Sequence, residues 1–502
     1  MICSTIREIL VNAERQFGSE DAIRYKVSKD TIEAKSYTEL KQDSESFSCV
    51  LQALGAQGSH VALTGMTSYS WIMSYLGIVD SGSVAVPLDV SLPMEDMCEL
   101  IDRSDAVVLV VDEIRKDVML ATRQRCPKLR HIISMQKTVS DEEALSFATL
   151  LEEHAGSCAY EPKPEDLATI MFTSGTTGKS KGVMLTHRNL AENATCLDMK
   201  FPKRTVLLSV LPVHHAYCLS MDILKGLSLG SIICINDSLI RMAKNIKLFQ
   251  PNVILMVPLM IETMAKKLQE AAALPPEIVK REVFGEQFHT ICSGGAYMPP
   301  AMLDLFGTYG ITILQGYGMT ECAPVISTTV SWNIRKGSVG QLMPNCEAKV
   351  VDEELWVRGS SVMQGYYQMP KETEETLVDG WLRTGDLGYV DEEGFVYLTG
   401  RKKNLIITKN GENVSPEELE NRLSESPLVQ EVIVRESEGV IEAEIFPDAE
   451  YVEKKGIEDQ RAALQELIDD WNKSAPAYKK IYRLKVRETE FAKTPSKKIK
   501  RY

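Results

Sequence analysis

From residue 60 to about 316 the chain alternates short, unbroken apolar runs with stretches of helical periodicity. The runs fall at 61–64, 84–87, 106–111, 167–172, 206–211, 231–235, 253–257 and 290–292. Continuous apolar character, as opposed to strict alternation, predicts strands covered on both faces. The expected fold class is therefore α/β, with a large N-terminal domain of mostly parallel sheets flanked by helices. After about 337 the pattern changes: segments 337–340, 348–351, 354–357 and 394–398 are short and broken by turn residues. That pattern predicts a small β-barrel-like subdomain or meander.

A sharper break falls at 400–403, Gly-Arg-Lys-Lys. Beyond it, 405–408 and Val414 flank Asn410-Gly411, a hairpin signal because both residues tolerate positive φ. Ser415, Pro416 and Glu418 predict an N-cap, a first-turn proline and a capping box for a helix with Leu419 and Leu423 on one face. Strands at 431–435 and 441–446, a helix near 458–473 and a strand at 480–486 complete a small α+β C-terminal domain. The expected domains are thus 1–402 and 403–502, the second large enough to fold as a domain.

Composition narrows the function. At 502 residues and 44% apolar content the chain can bury two cores. Its net charge of −14 argues against general binding to nucleic acid or anionic membranes. The deficit lies in residues 1–400, because 401–502 hold 20 Lys/Arg and 20 Asp/Glu, and 471–502 carry 11 Lys/Arg against 2 acids. A basic tail on an acidic chain is a solvated surface, a localisation signal or a collar for a polyanionic small molecule, and composition leaves the three open. The 11 cysteines are scattered and odd in number, which predicts reduced thiols and a cytoplasmic protein. Arg7 and Glu8 leave no signal-peptide pattern at the start. The nearest approach to a membrane span, 69–88, is interrupted by Ser74, Asp80, Ser81 and Ser83, so no integral membrane segment is expected. No Cys/His/carboxylate cluster has zinc spacing, and no structural metal is expected.

Residues 173–182 read Thr-Ser-Gly-Thr-Thr-Gly-Lys-Ser-Lys-Gly and follow the apolar run 167–172. Thr173, Ser174, Thr176 and Thr177 offer hydroxyl donors, Gly175 and Gly178 let the backbone turn its N–H groups toward an anion, and Lys179 and Lys181 add charge. The loop reads as a phosphate cradle. It is not the P-loop of nucleotide triphosphatases, which needs four residues between its glycines; here there are two, and position 173 is threonine. A plain turn has similar composition, but seldom ends in two lysines.

Four further motifs follow in order: Gly316-Tyr-Gly-Met-Thr-Glu321, Arg383-Thr-Gly-Asp386, Gly400-Arg401, and a terminal Lys-Thr-Pro-Ser-Lys-Lys-Ile-Lys-Arg at 493–501. With the loop at 173–182 they resemble, over essentially the whole chain, the adenylate-forming superfamily, nearest its medium- and long-chain fatty acyl-CoA ligases. The resemblance implies ATP-dependent activation of a carboxylic acid, a medium- or long-chain fatty acid, to an acyl-adenylate with release of pyrophosphate, then transfer to CoA with release of AMP. It implies ATP, Mg2+ and CoA, or a carrier phosphopantetheine in place of CoA. The loop would hold the β- and γ-phosphates, Thr320 the α-phosphate, and Glu321 the metal. Tyr317 would lie against adenine beside Gly294, Gly295 and Ala296, and Asp386 and Arg401 would hold the ribose.

Taken singly these residues have ordinary readings: Asp386 a turn residue, Arg401 a surface charge, Tyr317 core, Glu321 a solvated carboxylate. By the same resemblance Lys498 bridges the reacting carboxylate and the α-phosphate. The family places glycine before that lysine and this chain has Lys497, so Lys497 and Lys500 stand as alternatives. Lys403 would be the hinge about which the small domain rotates between half-reactions, bringing Lys409 and Gly411 to the thiol's path. Gly318 stands where small-acid members carry a bulky aromatic, which implies a deep acyl pocket walled by His215 and Tyr217. Met221 and Leu224 read as core, and Asp222 keeps an amino-acid substrate within reach. Two other classes remain open at this stage: a stand-alone ligase loading a separate acyl carrier protein, and a nucleotide-binding protein without ligase activity.

Overall fold

The structure is a computed structural model that describes residues 1–28, 31–136, 139–157, 160–173, 179–408, 412–493 and 499–501. Its contacts divide the chain into two units. One comprises Met1–Ala296, Met302–Ala348 and Val357–Leu382; the other comprises Tyr297–Ala301, Lys349–Trp356 and Arg383–Tyr502.

The first unit is built on two sheets. One has eight strands in the order Gly365–Tyr366, Lys181–Thr186, Leu167–Thr173, Val84–Leu88, His60–Thr64, Ala106–Val111, His131–Ser134 and Leu145–Ser146. It is parallel from Leu167–Thr173 through to Leu145–Ser146 and antiparallel at the other edge. The second has nine strands, with a parallel centre of Ile232–Ile235, Val206–Ser209, Val253–Met256, Thr290–Gly294 and Thr312–Gly318. The eight apolar runs of the sequence all fall on strands of these two sheets, whereas His131–Ser134, Lys181–Thr186 and Thr312–Gly318 were not among them; Val84–Leu88, Ile232–Ile235 and Val253–Met256 are buried throughout. At the far edge of this sheet Asp21–Lys26 and Ile32–Ser36 form an antiparallel pair that the apolar pattern did not announce. Both are largely half-exposed, so they carry no continuous apolar run.

The stretch nearest a membrane span is a buried helix, Tyr69–Asp80, capped by Ser68 on the Trp71 amide. No described helix is long and apolar enough to cross a membrane. The segments expected as a meander appear as Cys346–Val351, Glu354–Gly359, Trp381–Val390 and Val396–Arg401 of a five-stranded sheet, while 337–340 forms no strand.

In the second unit Val429–Ser437 pairs antiparallel with Val440–Pro447, which pairs parallel with Ile481–Val486. The helix Gln460–Ser474 lies in the crossover that a parallel pair requires. Leu419, Leu423, Val434, Ile445, Leu464 and Ile481 form its core, each worth on the order of 1.5–3 kcal/mol on burial. Ile406–Ile407 and Asn413–Val414 make the expected hairpin stem. The expected capping box is absent. Ser415 stands at the N-cap of Pro416–Leu423 but makes no capping bond; its hydroxyl donates to Glu417 instead, and Glu418 pairs with Lys479.

Candidate active site

The strand Leu167–Thr173 returns as the antiparallel strand Lys181–Thr186, with Thr173 opposite Lys181. The next described element after the phosphate-type loop is a strand, where a P-loop would lead into a helix. Lys181 Nζ lies 4.7 Å from the centre of the Tyr366 ring, within cation–π range. The Tyr366 hydroxyl donates to Glu321 Oε1 at 2.9 Å. Burial and the Glu321 carboxylate push the Tyr366 phenol up, so it remains a donor. One side chain thus ties the foot of the loop to the carboxylate. Lys179, at the loop's end, is exposed.

The Glu321 segment is held from several sides. Gly316 pairs with Gly294 across adjacent parallel strands, and Thr320–Cys322 makes a single tight turn. The Asn193 amide, on the helix His187–Thr195, donates to the carbonyls of Cys322 at 3.3 Å and Val325 at 2.8 Å and accepts from the Val325 N–H at 3.2 Å. Ser220 donates to the Ala323 carbonyl at 2.9 Å, and the Glu321 carbonyl accepts from the Met363 N–H at 2.9 Å. Thr320 and Glu321 are left half-buried while Tyr317 is buried. A Cβ at Gly318 would sit 1.9 Å from the Pro324 carbonyl oxygen; the close backbone approach demands glycine there whatever the acyl group. A Cβ at Gly294 would meet the Tyr217 ring at 3.2 Å, and Gly295 has φ +87°, so both glycines answer to local geometry. Ala296, which follows, is exposed.

Beside this segment lies a cavity of about 60 Å³ whose lining includes Tyr217, Met221, Lys225, Leu255, Cys292 and Gly316. Tyr217 forms part of its wall, whereas His215 is exposed and lies outside the lining, as does Gly318. Met221, expected as core, faces the cavity, and Leu224 is core. Residues 218–224 wind as a π-helix, a wider turn than the α-helical spacing suggested and one found often at functional sites. Asp222 is absent from the lining: buried, it accepts from Ser209 Oγ at 2.9 Å, and burial pushes its carboxyl up to about 7. It is not placed to meet a substrate ammonium in this cavity.

In the second unit Asp386 lies opposite Arg401 on paired strands, and Arg401 Nε reaches Asp386 Oδ1 at 2.7 Å. The turn before Asp386 is organised by Glu354, which accepts from the Gly385 N–H at 3.0 Å and from Lys402 Nζ at 2.9 Å. Burial raises the Glu354 carboxyl, but Lys402 and the Gly385 amide outweigh it and leave it below its ordinary value. Lys403 sits in the single turn Lys402–Asn404 that follows.

Ser174, Gly175, Thr176, Thr177 and Gly178 of the loop, Lys409 and Gly411 of the hairpin turn, and Lys497 and Lys498 lie outside the described residues. The flanks of the last pair are placed: Lys493 and Ile499 form an antiparallel bridge, Lys493 pairs with Glu431 at 2.5 Å, and Arg501 pairs with Glu417 and Glu420. Tyr366, Asn193 and Glu354 were not singled out from sequence. Their partners are distant in the chain, and only a buried asparagine inside a helix would have been a signal.

Residues 11–367 match the family described as AMP-binding enzyme, and residues 403–502 its C-terminal domain. The chain is 30% identical over 456 residues to a long-chain-fatty-acid–CoA ligase of Escherichia coli O157:H7, covering 80% of this chain and 78% of the relative. It is 30% identical to 4-coumarate–CoA ligase-like 6 of Arabidopsis thaliana, covering 80% and 74%. Among solved structures it is similar in fold to the anthranilate CoA ligase AuaEII in complex with anthranoyl-AMP, with a TM-score of 0.85, 21% identity, and coverage of 99% and 95%. It is likewise similar to ATP-bound MatB from Rhodopseudomonas palustris, with a TM-score of 0.84, 24% identity, and coverage of 99% and 97%.

Proposed function

Because the chain belongs to the AMP-binding enzyme family, we propose that it is an AMP-forming acid–thiol ligase that activates a medium- or long-chain fatty acid and transfers it to CoA. In the first half-reaction a carboxylate oxygen attacks the α-phosphorus of ATP, the bond to the β-phosphate oxygen breaks, and pyrophosphate leaves. In the second, the CoA thiol gives up its proton, sulfur attacks the acyl carbon, and AMP leaves. The observation that carries this reading is the Lys181–Tyr366–Glu321 connection, in which one tyrosine contacts both the lysine at the foot of the loop and the carboxylate. The family and the names of the relatives support it.

On this reading the 173–182 loop takes the β- and γ-phosphates and Thr320 donates to the α-phosphate. Tyr317 flanks adenine, with Gly294, Gly295 and Ala296 at its edge. Asp386 accepts from the ribose hydroxyls and Arg401 orients it. Lys498 donates to the carboxylate and α-phosphate as they join. Mg2+ takes one or two carboxylates alongside phosphate oxygens and water, and the half-buried Glu321 oxygens fit that donor set. When bound, the ion neutralises phosphate charge. Lys403 is assigned as hinge, and Lys409 and Gly411 as the approach of the pantetheine. CoA is favoured over a carrier protein because the relatives' names specify it. The ten described cysteines carry thiols and form no disulfide among themselves, which supports a cytoplasmic setting.

The test is incubation of the purified chain with ATP, Mg2+, a panel of acids and CoA, read by mass spectrometry. AMP, pyrophosphate and acyl-CoA are expected. ADP with orthophosphate, or no turnover with any acid, would overturn the reading.

A further inference from the structure

Lys225 is out of keeping with its surroundings. It is 7% exposed and lines the cavity among Leu197, Phe201, Leu229 and Met343. Its Nζ donates to the carbonyls of Ala194 at 3.1 Å and Leu197 at 2.7 Å, at the C-terminal end of the helix His187–Thr195, where a cation is favoured. Those bonds engage two of an ammonium's three N–H groups. Tyr217 also lines the cavity, together with Gly316, and its ring lies against Gly294, in the segment assigned above to adenine. Lys225 is eight residues further along one continuous helical stretch, or roughly 12 Å along its axis at the α-helical rise.

An alkyl chain entering the cavity would shut water away from this ammonium and leave a buried N–H without a partner, which is costly. An oxygen anion at the far end of the acid would accept that N–H and pair the charge. The adaptable side chains Met199, Met221 and Met343 can yield to a longer acyl group than about 60 Å³ admits. We propose that Lys225 sets the acyl specificity, and that the preferred substrate is a dicarboxylic acid whose second carboxylate binds Lys225 while the first is adenylated. The inference rests on the ligase function proposed above.

Burial lowers Lys225 to about 8, against Cys196, Asp198 and Cys292, which face it and raise it. The ammonium is therefore present below that pH and is lost above it, and the preference for a second carboxylate should fade as pH rises through it.

The purified full chain, Lys225→Met and Lys225→Arg are compared by pyrophosphate release with ATP and Mg2+, using mono- and dicarboxylic acids of equal chain length. The wild type is expected to favour the dicarboxylic acid in kcat/KM by about tenfold or more. Lys225→Met should reverse that order, Lys225→Arg should keep it, and the wild-type ratio should fall above pH 8. Preference of the wild type for the monocarboxylic acid, or a Lys225→Met ratio equal to that of the wild type, would overturn the proposal and leave Lys225 as a helix strut. If Lys225→Met does not fold, the wild-type ratio and its pH dependence decide the matter. Release of pyrophosphate with neither acid, nor with any other, would overturn the ligase reading and this inference with it.

Discussion

Tyr366 touches both Lys181, assigned to the phosphates, and Glu321, assigned to the metal, with its ring near the first and its hydroxyl on the second. A hydrogen bond to a charged group is worth about 1.5–3 kcal/mol, so Tyr366→Phe should raise KM for MgATP by roughly tenfold. The thermal melting point should move little, and initial rates over an ATP series check this. Gly318 runs the other way. By resemblance it signals a deep acyl pocket, yet the Pro324 carbonyl requires glycine for reasons of backbone alone. The same residue type answers to two causes, and only the distance tells them apart.

At the scale of elements, the loop at 173–182 suggests a phosphate site from sequence because its chemistry is local: hydroxyls, glycines and lysines in ten consecutive residues. The hairpin stem and the parallel strands were legible for a similar reason, since apolar runs report burial on both faces. The Ser415 cap was not, because Glu417 and Lys479 compete for the groups a capping box needs. Nor was the helix His187–Thr195 legible as a support for Glu321, since Asn193 reaches a carbonyl 129 residues away. Asn193→Ala would strand the carbonyls of Cys322 and Val325 and should cost on the order of 2 kcal/mol of stability. It should also slow adenylation more than Tyr366→Phe does. Thermal melts and pyrophosphate release, measured on one preparation, test both parts.

For the whole molecule, one site serving two reactions predicts separable defects. Lys498→Ala should abolish pyrophosphate release yet largely spare thioester formation from a supplied acyl-adenylate. Equal loss of both would count against the assigned role, and a more severe effect in Lys497→Ala would shift the register by one. The pH response of stability is a second global property. Burial pushes His187 down to about 4, against an ordinary value of about 6.5. The unfolded chain therefore binds a proton that the folded chain refuses between those values. Stability from this group is present above about pH 6.5 and is lost as pH falls toward 4. His187→Gln should flatten the slope of urea-unfolding free energy against pH in that window, and an unchanged slope would contradict it.

Sequence alone determined the fold class and the chemical family, because burial periodicity and phosphate-type chemistry are written in neighbouring residues. Tertiary structure decided what stands beside them. Tyr366 lies 45 residues from Glu321, and Glu354 lies 31 from Gly385, so no local pattern could join them. Lys225 offers the plainest case: in sequence it is an ordinary lysine on a helix, and it becomes a candidate for acyl specificity only because folding closes an apolar wall around its ammonium.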